Sequence, residues 1–174
     1  MWWIGAAALL GAFVLWRLLL ARVPEARLEG PVSQWVIPEA WSVGMGTYEG
    51  KPIVTRFNKG LRALIGNPAF AKQLGIAVKF NEPDERGFPP AKENPELDEV
   101  EAKIVRRFGG TGNETLLAGA VTTGGMREFV LYTSNAEAAS KIAQGIVDET
   151  RHHTVQFVVN DDAAWNVYQQ LAAR

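Results

Sequence analysis

The chain has no cysteine and only 2 histidines. Disulfides, thiolate nucleophiles and thiolate metal sites are therefore excluded, and the lack of cysteine fits an oxidising or a reducing compartment equally. There is no charge excess either: the net charge is -1. That argues against nucleic acid as the main partner, because proteins that bind it carry a basic face. No internal repeat or low-complexity tract is visible, and no serine, histidine and acid set stands out.

What is present begins with residues 1–20, MWWIGAAALLGAFVLWRLLL. About 20 residues at about 1.5 Å rise span the roughly 30 Å hydrocarbon layer of a bilayer. Arg17 sits near the end of the run, where its side chain can reach the headgroups. Trp2, Trp3 and Trp16 lie near the two ends, where indoles favour the interface. No basic residue precedes the run, and Ala21-Arg22-Val23-Pro24-Glu25-Ala26 is a poor signal-peptidase site. The expectation is a retained single-pass helix over residues 1–21 that contacts the cell membrane through residues 2–20. Arg17, Arg22 and Arg27 flank its C-terminal side and place the rest of the chain in the cytoplasm by the positive-inside rule.

Residues 22–40, punctuated by proline and charge, read as a linker, and residues 41–174 as one soluble domain. Residues 41–45 and 53–57 alternate in polarity around Tyr48-Glu49-Gly50-Lys51, the pattern of a hairpin. Ile76, Val78 and Phe80 mark a strand. Asn94 as cap, Pro95 in the first turn and the stripe Leu97, Val100, Ile104, Val105 and Phe108 mark a helix that ends at Gly109-Gly110. Residues 116–123 and 128–133 are strands joined by Gly124-Gly125. Ser134 and Glu137 suggest a capping box for a helix with stripe Ala139, Ile142, Ala143, Ile146 and Val147. A strand over residues 154–159 follows, and Asp161 or Asp162 caps a last helix through Trp165, Tyr168 and Leu171.

From Ile76 to Val159 the order is strand, helix, strand, strand, helix, strand. The expected class is α+β: a ferredoxin-like (split βαβ) antiparallel sheet with an added N-terminal hairpin and C-terminal helix, preceded by one transmembrane helix.

Each candidate site has a plain structural reading beside it. His152 and His153 are adjacent on a strand and point to opposite faces, so they do not readily share a metal; Asp148 or Glu149 would have to complete a site. Gly44, Gly46 and Gly50 precede strand signals rather than a helix, unlike a dinucleotide loop. Gly109-Gly110-Thr111-Gly112 lacks the Lys-Ser/Thr of a P-loop and reads as a helix stop. Glu96, Asp98, Glu99 and Glu101 fall off the apolar stripe and read as a solvated face, with Glu99 and Lys103 paired at i,i+4. No cofactor is expected. Among the aromatics, an exposed one on the open sheet face suits protein contact. Val130, Tyr132 and Phe88 are the candidate interaction residues.

The motifs WSVGMGTYEGKPIVTRF (residues 41–57), Gly87-Phe88-Pro89, REFVLYT (residues 127–133) and NDDAAWNVY (residues 160–168) resemble a bacterial family of unknown function, the DUF family 695. Its members carry no known catalytic residues to transfer. The C-terminal half is similar to the regulator of ribonuclease activity B family, a resemblance that implies a protein-binding role by analogy. The expected function is a non-catalytic, membrane-anchored interaction or regulatory module with an unknown protein partner. The alternative is a hydrolase or other enzyme that gathers Glu82, Asp84, Glu85 or Glu93 of the 81–94 loop with a histidine, with or without a metal.

Overall fold

The structure, a computed structural model, describes residues 23–173. They form a six-stranded antiparallel sheet in the order β1-β2-β4-β5-β3-β6. The strands are β1 (Trp41–Tyr48), β2 (Lys51–Asn58), β3 (Lys72–Lys79), β4 (Thr115–Thr123), β5 (Met126–Thr133) and β6 (Thr154–Asp161). The helices are α1 (Asn94–Gly109), α2 (Ala136–Glu149) and α3 (Asn166–Ala172). The class is mixed α+β. The expected transmembrane run lies outside the described residues. Among the described residues, no helix is long and apolar enough to cross a membrane.

Period-two alternation builds two cores, one on each face. Leu74, Ile76 and Val78 of β3 and Phe129 and Leu131 of β5 point to α1 and α2, where they meet Leu97, Val100, Ile104, Phe108, Ala143 and Ile146. Val130 and Tyr132 point the other way. There they are covered by α3, by the Lys59–Leu64 turn and by Phe70. The hairpins close as expected, through positive φ at Glu49 (50°) and Gly50 (77°), and at Gly124 (57°) and Gly125 (88°). A β-bulge at Ala118 separates the pairs Leu117–Leu131 and Gly119–Val130.

Three helix starts differ from the sequence reading. Glu93, not Asn94, precedes α1, and its carboxylate turns away to accept the N–H groups of Asn81 (3.1 Å) and Glu82 (2.8 Å). Asn135, not Ser134, caps α2 by accepting Ala138 N–H at 3.1 Å, while Ser134 donates to Glu114 O. Asp162 does cap α3, accepting the N–H groups of Asn166 (2.7 Å) and Val167 (3.0 Å), but Trp165 stands outside the helix in left-handed backbone, φ 59°.

The segment expected to be a linker is partly folded against the domain. Arg27 and Val36 exchange backbone hydrogen bonds of 2.9 Å, and Leu28, Val32, Trp35 and Ile37 pack on the second core. Asn113 Nδ2 donates to Val32 O (3.2 Å) and Trp35 O (3.0 Å), and the Trp35 and Phe70 rings lie 6.0 Å apart. Residues 27–37 are thus a strap across one end of the sheet.

Candidate functional site

The β1–β2 hairpin carries the sheet past α1, so among the described residues no helix covers its helix-side face. The groove that results has a volume of about 570 Å³. Its floor is Val43, Val54, Arg56, Ala120 and Thr122, and its wall is Asp98, Glu101, Ala102 and Val105 of α1. A second cavity of about 570 Å³ adjoins it toward Ile37, Trp41 and Leu61, and the two share Arg56, Glu101 and Val105.

At that junction two guanidinium groups converge on one carboxylate. Arg56 Nη2 donates to Glu101 Oε1, and Arg127 Nη1 donates to Oε2 at 3.2 Å. Arg127 Nε reaches Thr122 Oγ1 at 3.3 Å. The Arg56 guanidinium lies 5.0 Å from the Trp41 ring centroid, a cation–π contact, and its buried Nε has no hydrogen-bond partner among the described residues. The cluster offers guanidinium donors around one carboxylate, both of whose oxygens accept from them.

The outer border of the groove is β1, an edge strand of eight residues with no charge and no proline. Trp41, Val43 and Met45 share the groove face, with exposures of 39%, 67% and 81%. Edge strands in soluble proteins are usually blunted by charge, proline or cover, because their free N–H and C=O groups recruit other strands.

The acids of the 81–94 loop do not converge. Glu82 pairs with Lys92. Asp84 accepts the N–H groups of Phe88 (2.8 Å) and Arg86 (3.0 Å); the Phe88 bond first, with the Arg86 contacts beside it, holds its carboxyl below the usual range against the opposing effect of desolvation. Glu85 is exposed. Glu93 alone approaches a histidine: its Oε2 lies 3.9 Å from His153 Nδ1. The His153 side chain is fully buried, Nδ1 is 3.1 Å from Lys79 O, and Nε2 is 3.3 Å from Glu96 Oε2. His152 is exposed and contributes its carbonyl to Asn81 Nδ2. Among the described residues, no group of three or more His, Asp or Glu side chains is placed to hold a metal.

Of the three interaction residues expected from the sequence, Val130 and Tyr132 are 1% and 0% exposed. The expectation that their face is open is corrected: α3, the 59–70 segment and the strap cover it. Tyr132 Oη donates to Asp162 Oδ2 at 2.7 Å, and burial together with that carboxylate pushes its hydroxyl pKa upward. Phe88 is half-buried beside Arg86, whose guanidinium lies 5.6 Å from its ring centroid. The Arg56–Glu101–Arg127 cluster is not legible in the sequence, where Glu101 belongs to an acidic helix face that reads as solvated. The available signal was Arg56, a charge in mid-strand that shares parity with Val54.

No curated protein matches the chain. Residues 39–172, from the end of the strap through α3, match the Family of unknown function (DUF695), and the chain belongs to that family.

Proposed function

We propose that the chain is a single-pass, membrane-anchored interaction module that acts on a protein partner by contact rather than by chemistry. Residues 1–20 supply the anchor, and the remainder stands on the cytoplasmic side. Residues 72–161 form a ferredoxin-like unit. The spatial order β6-β3-β5-β4, with α1 and α2 on one face, supports that reading. So does the similarity of the C-terminal half to the regulator of ribonuclease activity B family.

One observation carries the contact reading: residues 41–47 of β1 form an edge that no strand among the described residues pairs, with Val43 and Met45 exposed along the groove. An extended partner segment adds a strand to β1, and its alternate side chains cover Trp41, Val43 and Met45. The enzymatic reading has less support. Glu93 and Asp84 are occupied by backbone N–H groups, and Glu82 by Lys92.

The test puts a photo-crosslinking side chain at Met45 of the intact chain in its membranes. A discrete adduct with another protein is expected. The pair Val43→Asp and Met45→Asp, with crosslinking moved to Thr47, should remove the adduct while the unfolding midpoint stays near that of the parent. Metal-dependent turnover by the purified chain, lost in His153→Ala, would overturn the reading in favour of the enzyme.

A further inference from the structure

We infer that the strap-bearing end of the domain rests on the bilayer surface and that the opposite end, at the β4–β5 turn, faces away from it. The inference rests on the anchor reading above and adds an orientation to it.

The strap makes the tether short. Had residues 22–40 been a free linker, the domain could tumble at the membrane. Instead the segment is folded from Arg27 onward: Arg27 pairs with Val36 within the strap, and Leu28 beside it packs on the second core. Seven residue steps separate Leu20, where the apolar run ends, from Arg27. Fully extended they reach about 25 Å. Asn113 holds the strap at the start of β4, and a Cβ on Gly112 would lie 3.9 Å from the Ser33 Cβ, so the attachment is at that end of the sheet. From Thr115 to Thr123 the strand runs about 27 Å at about 3.4 Å per residue. An inverted domain would lift Arg27 by at least that length, and the headgroup layer adds roughly 5–8 Å. The tether does not reach so far. Inversion is therefore out of reach, and the strap end stays the nearer of the two ends to the lipid.

The surface at that end suits an interface of mixed polarity. Val36 and Ile65 are exposed apolar residues, and Arg27 and Arg62 are exposed cations. The 59–65 turn is fixed to the strap: Lys59 N–H donates to Ala40 O at 2.8 Å, and Gly60 packs against the Pro38 carbonyl. Glu25, Glu29 and Glu39 balance the cations. The partner is therefore a lipid headgroup surface of any charge, brought near by the tether, rather than a specific anionic lipid.

The absence of cysteine gives a clean test. Ser33→Cys and Met126→Cys, each carrying a fluorophore, are made in the full chain and reconstituted into phosphatidylcholine vesicles containing a headgroup-nitroxide lipid. Several-fold stronger quenching at position 33 than at position 126 is expected. Insertion of a 20-residue Gly/Ser segment after Ala21 should erase the difference; persistence of the difference would overturn the tether as its cause. Protein that washes off the vesicles in carbonate refutes the anchor and this inference together. Protein that stays bound but is quenched equally at both positions refutes the orientation alone. A short distance between the position-33 labels of two copies, with little quenching there, would assign that end to self-association and refute it as well.

Discussion

The Trp165 indole lies flat on the Tyr132 ring, with 3.9 Å between centroids and 6° between planes. Its Nε1 donates to Phe70 O at 3.0 Å, and the Phe70 and Tyr168 rings meet it edge-on at 6.5 Å and 5.7 Å. This fully buried cluster is the centre of the second core and ties α3, β5 and the 68–70 turn together. It holds Trp165 in left-handed backbone, which for a bulky side chain costs roughly 1–3 kcal/mol, so packing outweighs local strain here.

Trp165→Ala should therefore lower stability by about 3–5 kcal/mol, read from chemical denaturation. Trp165→Gly should be no worse than Trp165→Ala, because glycine adopts φ 59° without strain. A glycine variant markedly less stable than the alanine variant would show that the backbone conformation is not strained.

Asp162 links this core to acid stability. Burial pushes its carboxyl upward, but bonds from the Tyr132 hydroxyl and from the N–H groups of Val167 and Asn166 outweigh burial and hold it below the ordinary value. A carboxyl with a lowered folded pKa contributes stability that is complete above its unfolded value, about 4, and is lost as pH falls through the folded value. The unfolding midpoint should therefore drop as pH falls below about 4. Asp162→Asn should cost about 1–3 kcal/mol at neutral pH and flatten that dependence. An unchanged acid limb in the variant would assign acid sensitivity to other carboxylates.

Where local chemistry decides structure, the sequence was legible. Alternation located the strands, the Gly124-Gly125 pair located a hairpin, and the stripe from Leu97 to Phe108 located α1 to its last turn. Parity also showed that Val130 and Tyr132 oppose Phe129 and Leu131. It did not show that their face is covered, because the cover is assembled from pieces without periodicity: Leu28, Val32, Trp35 and Ile37 around prolines, and short turns at residues 59–64 and 68–70. The groove cluster was hidden for a different reason. Glu101 lies 45 positions from Arg56 and 26 from Arg127, so only the fold brings the three together.

Two glycines are fixed by close approach rather than by φ. A Cβ on Gly60 would overlap the Pro38 carbonyl, and one on Gly119 would lie 2.5 Å from Arg56 O and 3.0 Å from Leu171 Cδ1. Overpacking of this kind costs about 1–3 kcal/mol or more. Gly60→Ala should also loosen the strap, seen as faster tryptic cleavage after Arg27. Gly124→Ala is the contrast: nothing lies within 4 Å, but φ is 57°, so only the left-handed cost of about 1–2 kcal/mol is expected. Equal losses in all three, without added cleavage at Arg27 in Gly60→Ala, would refute close packing as the cause.

Glu101 should matter more to the shape of the groove than to global stability. Its side chain is 19% exposed, that of Arg127 20% and that of Arg56 38%, so solvent screens part of the attraction. Glu101→Ala leaves two guanidinium groups facing each other with no carboxylate between them. We expect a loss of about 1–2 kcal/mol, and a smaller one for Glu101→Gln, which still accepts hydrogen bonds. Removing one cation should then relieve the other: Arg127→Ala in the Glu101→Ala background should cost less than in the parent, with a coupling of about 1 kcal/mol in a double-mutant cycle. Trp41 fluorescence should report the same event, since Arg56 loses the carboxylate that positions it over the indole. Additive losses with unchanged fluorescence would mean that the cluster neither stabilises the fold nor sets the groove floor.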